Sequence, residues 1–346
     1  MIFNTTSAEV LDLALARSTH QALFKQIMYA CIGLVLAAAI WQIGYRRIIA
    51  LSPYLLFIFC VFLVLTLIPG IGREVNGSKR WIGIAGFSFQ PSEFVKLIVP
   101  AYMIHRLLLV DPEQLSLIGF LKIIGILAIP ILLILIEPNN GTAAVIGLVV
   151  VLICVLSRIP FKYWAAPLFC LVIVGAFSAY NLPYVAARIN IYLHPELDLL
   201  GKGHQPYQAK IAAGSGGLLG SGPGNSLQKL SYLPEAQNDY IAAIYAEEFG
   251  FIGISCLIVL YMIFGNIGFL IAHSTQHLEG FYLASTITFL ICFQAFMNLG
   301  VVSGLLPSTG LNLPFFSQGG TSLMANMIGL GLLVNIAEEK KKEEHL

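Results

Sequence analysis

Two carboxylates, Glu235 and Asp239, stand four residues apart in the stretch KLSYLPEAQNDYIAA (229–243), with Gln237 and Asn238 between them. On a helix they would share one face. A like-charged neighbour and partial burial both raise a carboxyl pKa, which suits a general base working near neutral pH. The other reading is a helix cap, because Asn238 and Asp239 are both favoured cap types. The residues alone leave base and cap level.

A second constellation lies in 70–97, GIGREVNGSKRWIGIAGFSFQPSEFVKL. Lys79 and Arg80 precede Trp81, and Gln90-Pro91-Ser92-Glu93 opens the next helix. Lys96 follows Glu93 at i,i+3, close enough to pair with it. A lysine facing lipid there would cost a few kcal/mol unless it snorkelled or paired. Glu93 and Lys96 therefore read either as a pair pinning the helix end, or, for Lys96 together with Arg80, as a clamp on phosphate oxygens. Arginine suits the second role through its planar fork of donors.

The third is 298–329, NLGVVSGLLPSTGLNLPFFSQGGTSLMANMIG, whose uncharged loop around Ser317 suits sugar hydroxyls or simply turns the chain. Other motifs are weak. GSGGLLGSGPG (214–224) matches no nucleotide loop and reads as a tight turn through which backbone can approach a ligand or the membrane edge. His194 and His204 stand alone, and the six cysteines lie in apolar runs without metal or disulfide spacing. Asn4-Thr5-Thr6 and Asn76-Gly77-Ser78 match the glycosylation sequon, a short pattern that often occurs by accident.

The elements that must carry these residues are membrane helices. The 346 residues are 58% hydrophobic and 11% charged, against about 25% charged in soluble domains. A span needs about 20 apolar residues. Nine candidates are found: 26–45, 49–69, 94–110, 117–136, 142–156, 163–182, 251–272, 281–303 and 321–337. No cleavable signal peptide is recognised in the first residues. The apolar stretch from Asp239 to His273 would be about 52 Å as one helix, longer than a bilayer needs. Gly250 and Gly253 are natural bend points, so 239–248 is expected as a separate turn or short helix leading into the span. Pro206 followed by YQAKIAA predicts another short helix, stopped by Gly214.

Threading the spans alternately puts Arg46, Arg47, Arg158, Lys162 and the charged tail 338–346 on one side, which the positive-inside rule makes cytoplasmic. Arg106 and Lys122 agree, and the N-terminus falls outside. The outer loops nevertheless carry Arg73, Lys79, Arg80, Arg188, Lys202, Lys210 and Lys229. Either an outer anionic ligand requires them, or long loops simply translocate regardless of charge. The expected architecture is an all-α polytopic membrane protein, one domain over 1–346, with a large extracytoplasmic loop at 183–250.

GNSLQKLSYLPEAQNDYIAAIYAEEFGFIG, NGSKRWIGIAGFSFQPSEFVK and NLGVVSGLLPSTGLNLPFFSQGGTSL resemble the signature loops of the SEDS (shape, elongation, division, sporulation) family, and its cell-division branch more than its elongation branch. The likeness runs through nearly the whole chain in order. It implies a peptidoglycan glycosyltransferase of the bacterial inner membrane that polymerises lipid II on the extracytoplasmic face. The implied partners are a class B penicillin-binding protein and other division proteins, with no nucleic acid. The aspartate of the family's Pro-Glu-x-x-x-Asp segment is its essential acid; here it is Asp239, and the resemblance tips that residue towards the base. Asp239 would take the proton of the acceptor GlcNAc 4-hydroxyl, whose oxygen attacks C1 of the donor MurNAc. Undecaprenyl pyrophosphate then leaves with inversion.

The candidate set is thus Asp239 as catalytic residue, with Lys79, Arg80, Glu93, Lys96, Gln228, Lys229, Glu235 and Ser317 binding substrate. Arg80 and Lys96 would stabilise the departing diphosphate, with Mg or Mn as an optional helper and no dedicated metal cage. Two departures stand out. The family usually has ten spans; nine here imply a misassigned start, a truncated chain or an outer N-terminus. A loop usually reading Pro-Asp-x-Gly-Thr reads EPNNGTA, with Asn139 in place of the acid. The rival readings are a lipid II flippase and a non-catalytic scaffold for the cross-linking partner.

Overall fold

The computed structural model describes residues 19–75, 78–84, 87–110, 115–181, 191–193, 204–226 and 238–344. Each expected span is a helix: α1 (Thr19–Ile43), α2 (Tyr45–Leu67), α3 (Pro91–Leu108), α4 (Leu117–Ile136), α5 (Asn140–Leu156), α6 (Phe161–Asn181), α8 (Ile241–Ser274), α9 (Leu278–Val302) and α10 (Gly320–Glu344). The short helix α7 (His204–Ser215) matches the one predicted after Pro206. Among the described residues, six of these helices are long and apolar enough by themselves to cross a membrane. Of the rest, α3 carries Glu93, Lys96 and Arg106, and α5 has only 17 residues.

The mostly helical, polytopic fold agrees with the expectation, except for a small sheet in the first polar loop. Strands β1 (Gly72–Val75), β2 (Ser78–Ile84) and β3 (Phe87–Phe89) form an antiparallel meander in the order β1-β2-β3. Its signal was in the sequence, because Asn-Gly between β-rich runs marks a hairpin.

The chain divides into two compact units. The unit built from 29–167, 264–291 and 320–346 centres on α3. Pro91 opens this helix in a position where a missing N–H costs nothing. Val95, Val99, Met103 and Ile104 of α3 are fully enclosed, as are Leu63 of α2, Phe120 of α4 and Ile146 of α5. A helix buried on nearly every side also buries its polar residues, so Ser92, Glu93 and Lys96 need partners inside the protein.

The other unit comprises 1–28, 168–263 and 292–319. Its core joins Ala209 and Ala212 of α7, Ile241–Ile244 of α8, Ala295 and Val301 of α9, and Leu313 of the loop after α9. Helix α8 is two helices in succession, broken where Gly250 takes φ 64° and ψ −163°. That is backbone space open essentially to glycine alone. The expected bend is at Gly250; Gly253 lies within the helix that follows.

Candidate functional site

Asp239 sits half-buried in the turn 238–240, immediately before α8. The helix starts at Ile241, so Asp239 stands outside its first turn. Tyr240 and Ile241 beside it are enclosed, fixing the turn to the core. Two side chains from distant parts of the chain hold its backbone. The Asn298 amide of α9 donates to the Asp239 carbonyl at 2.9 Å and to the Leu311 carbonyl at 2.8 Å. The Ser317 hydroxyl donates to the Asn238 carbonyl at 2.7 Å and accepts from the Leu313 N–H at 2.8 Å. Tyr261, in the second half of α8, donates to the Pro314 carbonyl at 2.6 Å. The 311–317 loop is thereby tied to α8, to α9 and to the Asp239 turn.

The glycine-rich turn after α7 serves the break in α8. The N–H groups of Ser221 and Gly222 donate to the Glu247 and Glu248 carbonyls at 2.9 and 3.0 Å. Beyond the break, the Phe251 and Ile252 N–H groups donate to the Gly217 and Leu218 carbonyls at 2.9 and 3.2 Å. Orphan groups at both new helix ends are so satisfied. A Cβ on Gly216, Gly220 or Gly250 would collide with backbone of the facing segment. The sequence suggested that this turn brings backbone to a ligand or the membrane edge; the backbone it meets in the structure is that of the broken helix. Ser226 donates to the buried Glu247 carboxylate at 2.5 Å, pinning the end of the turn.

The second polar group lies in the other unit. Arg80 on β2 donates through Nε to the Glu137 carbonyl at 3.1 Å and through its second nitrogen to the Pro138 carbonyl. Glu137 ends α4, and its side chain is fully buried. One of its oxygens accepts from Thr66 Oγ1 at 2.5 Å; the other, Oε2, has no partner among the described residues. Burial pushes the Glu137 carboxyl up to about 7, against the opposing pull of the Thr66 hydrogen bond and the Arg80 charge. Asn139 turns its amide to Ser92 Oγ at 3.4 Å instead of capping α5. Lys96 and Glu93 pair at 2.8 Å, with side chains 3% and 8% exposed.

The expected site residues are therefore placed as follows. Asp239 and Ser317 come together through Asn238, and Ser317 is 4% exposed with its hydroxyl engaged to backbone. Arg80 holds the Glu137–Pro138 turn. Lys96 makes the ion pair that the simpler reading of Glu93 and Lys96 anticipated. Lys79 pairs with Glu74 across the β1–β2 ladder. A register irregularity in this ladder falls at Arg80, between the Arg73–Trp81 and Glu74–Lys79 pairs. Gln228, Lys229 and Glu235 lie outside the described residues. Sequence reasoning passed over Asn298, Glu137 and Thr66. A carboxylate ending an uncharged helix was a usable signal for Glu137; Asn298 and Thr66 carried none.

The cell cycle protein family model of the FtsW, RodA and SpoVE proteins matches residues 1–342. The chain belongs to this family. A probable peptidoglycan glycosyltransferase FtsW of Thioalkalivibrio sp. (strain K90mix) is 39% identical over 320 residues, covering 91% of this chain and 80% of the relative. Stage V sporulation protein E of Bacillus subtilis (strain 168) is 39% identical over 319 residues, covering 90% and 86%. Among solved structures, a peptidoglycan synthase complex described for its structural coordination of polymerization and crosslinking aligns with TM-score 0.78 at 26% identity, over 98% of this chain and 94% of that one. The rod shape determining protein RodA of Thermus thermophilus aligns with TM-score 0.68 at 25% identity, over 98% and 95%. As a member of the FtsW, RodA and SpoVE family with apolar spanning helices, the chain is a multi-pass membrane protein.

Proposed function

We propose that this chain is a peptidoglycan glycosyltransferase that polymerises lipid II during cell division, with Asp239 as the general base. The observation that carries the role of Asp239 is its placement: a half-buried carboxylate in a turn whose backbone is held by Asn298 and Ser317. A base fixed in position and reachable by substrate can take the proton of an acceptor hydroxyl as that oxygen attacks. In the proposed reaction the 4-hydroxyl of GlcNAc attacks C1 of the donor MurNAc, C1 inverts, and undecaprenyl pyrophosphate departs.

The diphosphate charge is assigned to Arg80, the residue whose planar fork suits phosphate oxygens. Lys96 contributes through the ion pair that keeps Glu93 satisfied. Among the described residues no three His, Cys, Asp or Glu side chains form a metal cluster. A Mg or Mn ion is proposed to assist, carried by substrate phosphates, a common mode for Mg with at most one or two protein carboxylates. The active face is proposed to be extracytoplasmic, in the inner membrane. The proposed partner is a class B penicillin-binding protein that cross-links the new strand.

The deciding experiment is polymerisation of labelled lipid II by the purified protein with its transpeptidase partner, with moenomycin present to silence contaminating polymerases. Wild type and Asp239→Asn are run side by side. Strands from wild type and none from the variant are expected. Equal strands from both would remove Asp239 from the chemistry. No strands from either, with the partner bound, would move the assignment to a transporter or a scaffold.

A further inference from the structure

We propose that Asn298 is the positioning residue of the reaction, an amide staple that sets where the Asp239 carboxylate stands. The inference rests on the reading of Asp239 as base and adds to it a residue from a different helix. Asn298 is 2% exposed, so it meets no substrate. Its Nδ2 carries two protons and uses both, one on the Asp239 carbonyl at 2.9 Å and one on the Leu311 carbonyl at 2.8 Å. Both partners are acceptors only, which fixes the orientation of the amide. The staple joins two segments that share no secondary structure, the turn before α8 and the loop after α9.

A second observation separates this role from simple packing. The Asn298 Oδ1 is buried and has no hydrogen-bond partner among the described residues. Leaving an acceptor orphaned in a core costs on the order of 1–3 kcal/mol. An apolar residue of similar volume would avoid that cost but would leave the two carbonyls without their donor. The asparagine thus keeps a stability defect at the one place where its two donors hold the Asp239 turn. The Ser317 hydroxyl makes the parallel connection one residue earlier, between Asn238 and Leu313, so the turn is gripped at two successive carbonyls. Without the Asn298 grip, the turn would still be carried by Tyr240 and the core, but the Asp239 and Leu311 carbonyls would lose the donor that joins them.

The test uses the full-length protein with its transpeptidase partner. It measures kcat and KM for lipid II polymerisation, and lipid II binding by fluorescence anisotropy, for wild type, Asp239→Asn, Asn298→Ala and Asn298→Asp. For Asn298→Ala the expectation is a fall in kcat of about 10–100-fold, the cost of misplacing a reacting group by about 1 Å, with KM and lipid II binding within about threefold of wild type. Asn298→Asp preserves shape and reports through pH. Its carboxyl donates one hydrogen bond when protonated and none when ionised, so its kcat relative to wild type should rise as pH is lowered from 8 to 5.5.

An inactive Asp239→Asn beside a fully active Asn298→Ala would overturn the staple and leave the base reading intact. So would a loss in Asn298→Ala that falls on lipid II binding with kcat kept. If Asn298→Ala does not fold, a flat pH ratio for Asn298→Asp overturns the staple in its place. A fully active Asp239→Asn removes the base reading, and the staple with it.

Discussion

Thr66 Oγ1 donates to Glu137 Oε1 at 2.5 Å, with both residues fully buried and 71 positions apart in the chain. This hydroxyl reaches the carboxyl from α2, while the Arg80 guanidinium holds the Glu137 main chain from β2. On α3, Glu93 and Lys96 are paired with each other. Burial wins over these favourable contacts, and the carboxyl titrates near 7.

The consequence for stability has a definite sign. The folded-state pKa lies above the unfolded value of 4.5, so the native protein holds the extra proton between about 4.5 and 7. Stability then falls as pH rises through that window and levels off above it, by an amount on the order of 3 kcal/mol. Glu137→Gln keeps the shape and the acceptor for Thr66 but cannot ionise. Thermal unfolding in detergent from pH 5 to 8 should show the wild type losing ground to this variant as pH rises. Parallel curves would show that Glu137 does not titrate in this range.

Gly250→Ala should damage the protein without touching any catalytic group. The residue occupies φ 64°, ψ −163°, and an added Cβ would collide with Gly220 and Leu218 backbone atoms. The strain alone is worth about 1–3 kcal/mol, and the collision displaces the turn that satisfies both helix ends. A lowered unfolding midpoint is expected, together with protease cleavage within 216–226. Gly253→Ala, at a helical position where the added Cβ would meet the Phe249 Cβ, also needs a shift but leaves the facing turn untouched, so cleavage within 216–226 should stay at the wild-type level. Equal behaviour of the two variants would count against the break at Gly250.

The Glu93–Lys96 pair makes a double-variant prediction. Lys96→Met leaves a buried carboxylate unpaired, which costs about 3–5 kcal/mol. Adding Glu93→Leu removes the stranded charge and should restore much of the lost midpoint. A Lys96→Met protein as stable as wild type would mean that the pair is not buried as described. Should the stable double variant also fail to polymerise lipid II, the pair has a part in the reaction beyond holding α3.

Arg80→Lys separates charge from geometry. Lysine keeps the cation but cannot reproduce a planar fork across two successive carbonyls. A loss of about 1–2 kcal/mol in stability is expected from the missing charge-assisted hydrogen bonds. An unchanged midpoint would show that the fork contributes nothing to holding the Glu137–Pro138 turn.

Much of this architecture follows from local sequence. Runs of about 20 apolar residues form helices because an uncharged segment in a bilayer has to satisfy its own backbone hydrogen bonds. The break at Gly250 and the short helix after Pro206 are equally local, because glycine and proline act through their own φ and ψ. The Glu93–Lys96 pair is local as well, one turn of one helix. Asp239 was conspicuous as an acid beside a long apolar run.

What the residues could not disclose is who holds them. Asn298 meets Asp239 across 59 positions, Ser317 meets Asn238 across 79, and Arg80 meets the Glu137 carbonyl across 57. No spacing rule links such pairs, because which donor reaches which carbonyl depends on how separate helices and loops pack. The chain's composition determined a helical membrane protein and displayed the acid; tertiary packing alone decided that Arg80 and Ser317 would be engaged by backbone, that Glu137 would be buried with a raised pKa, and that Asn298 would hold the turn carrying Asp239.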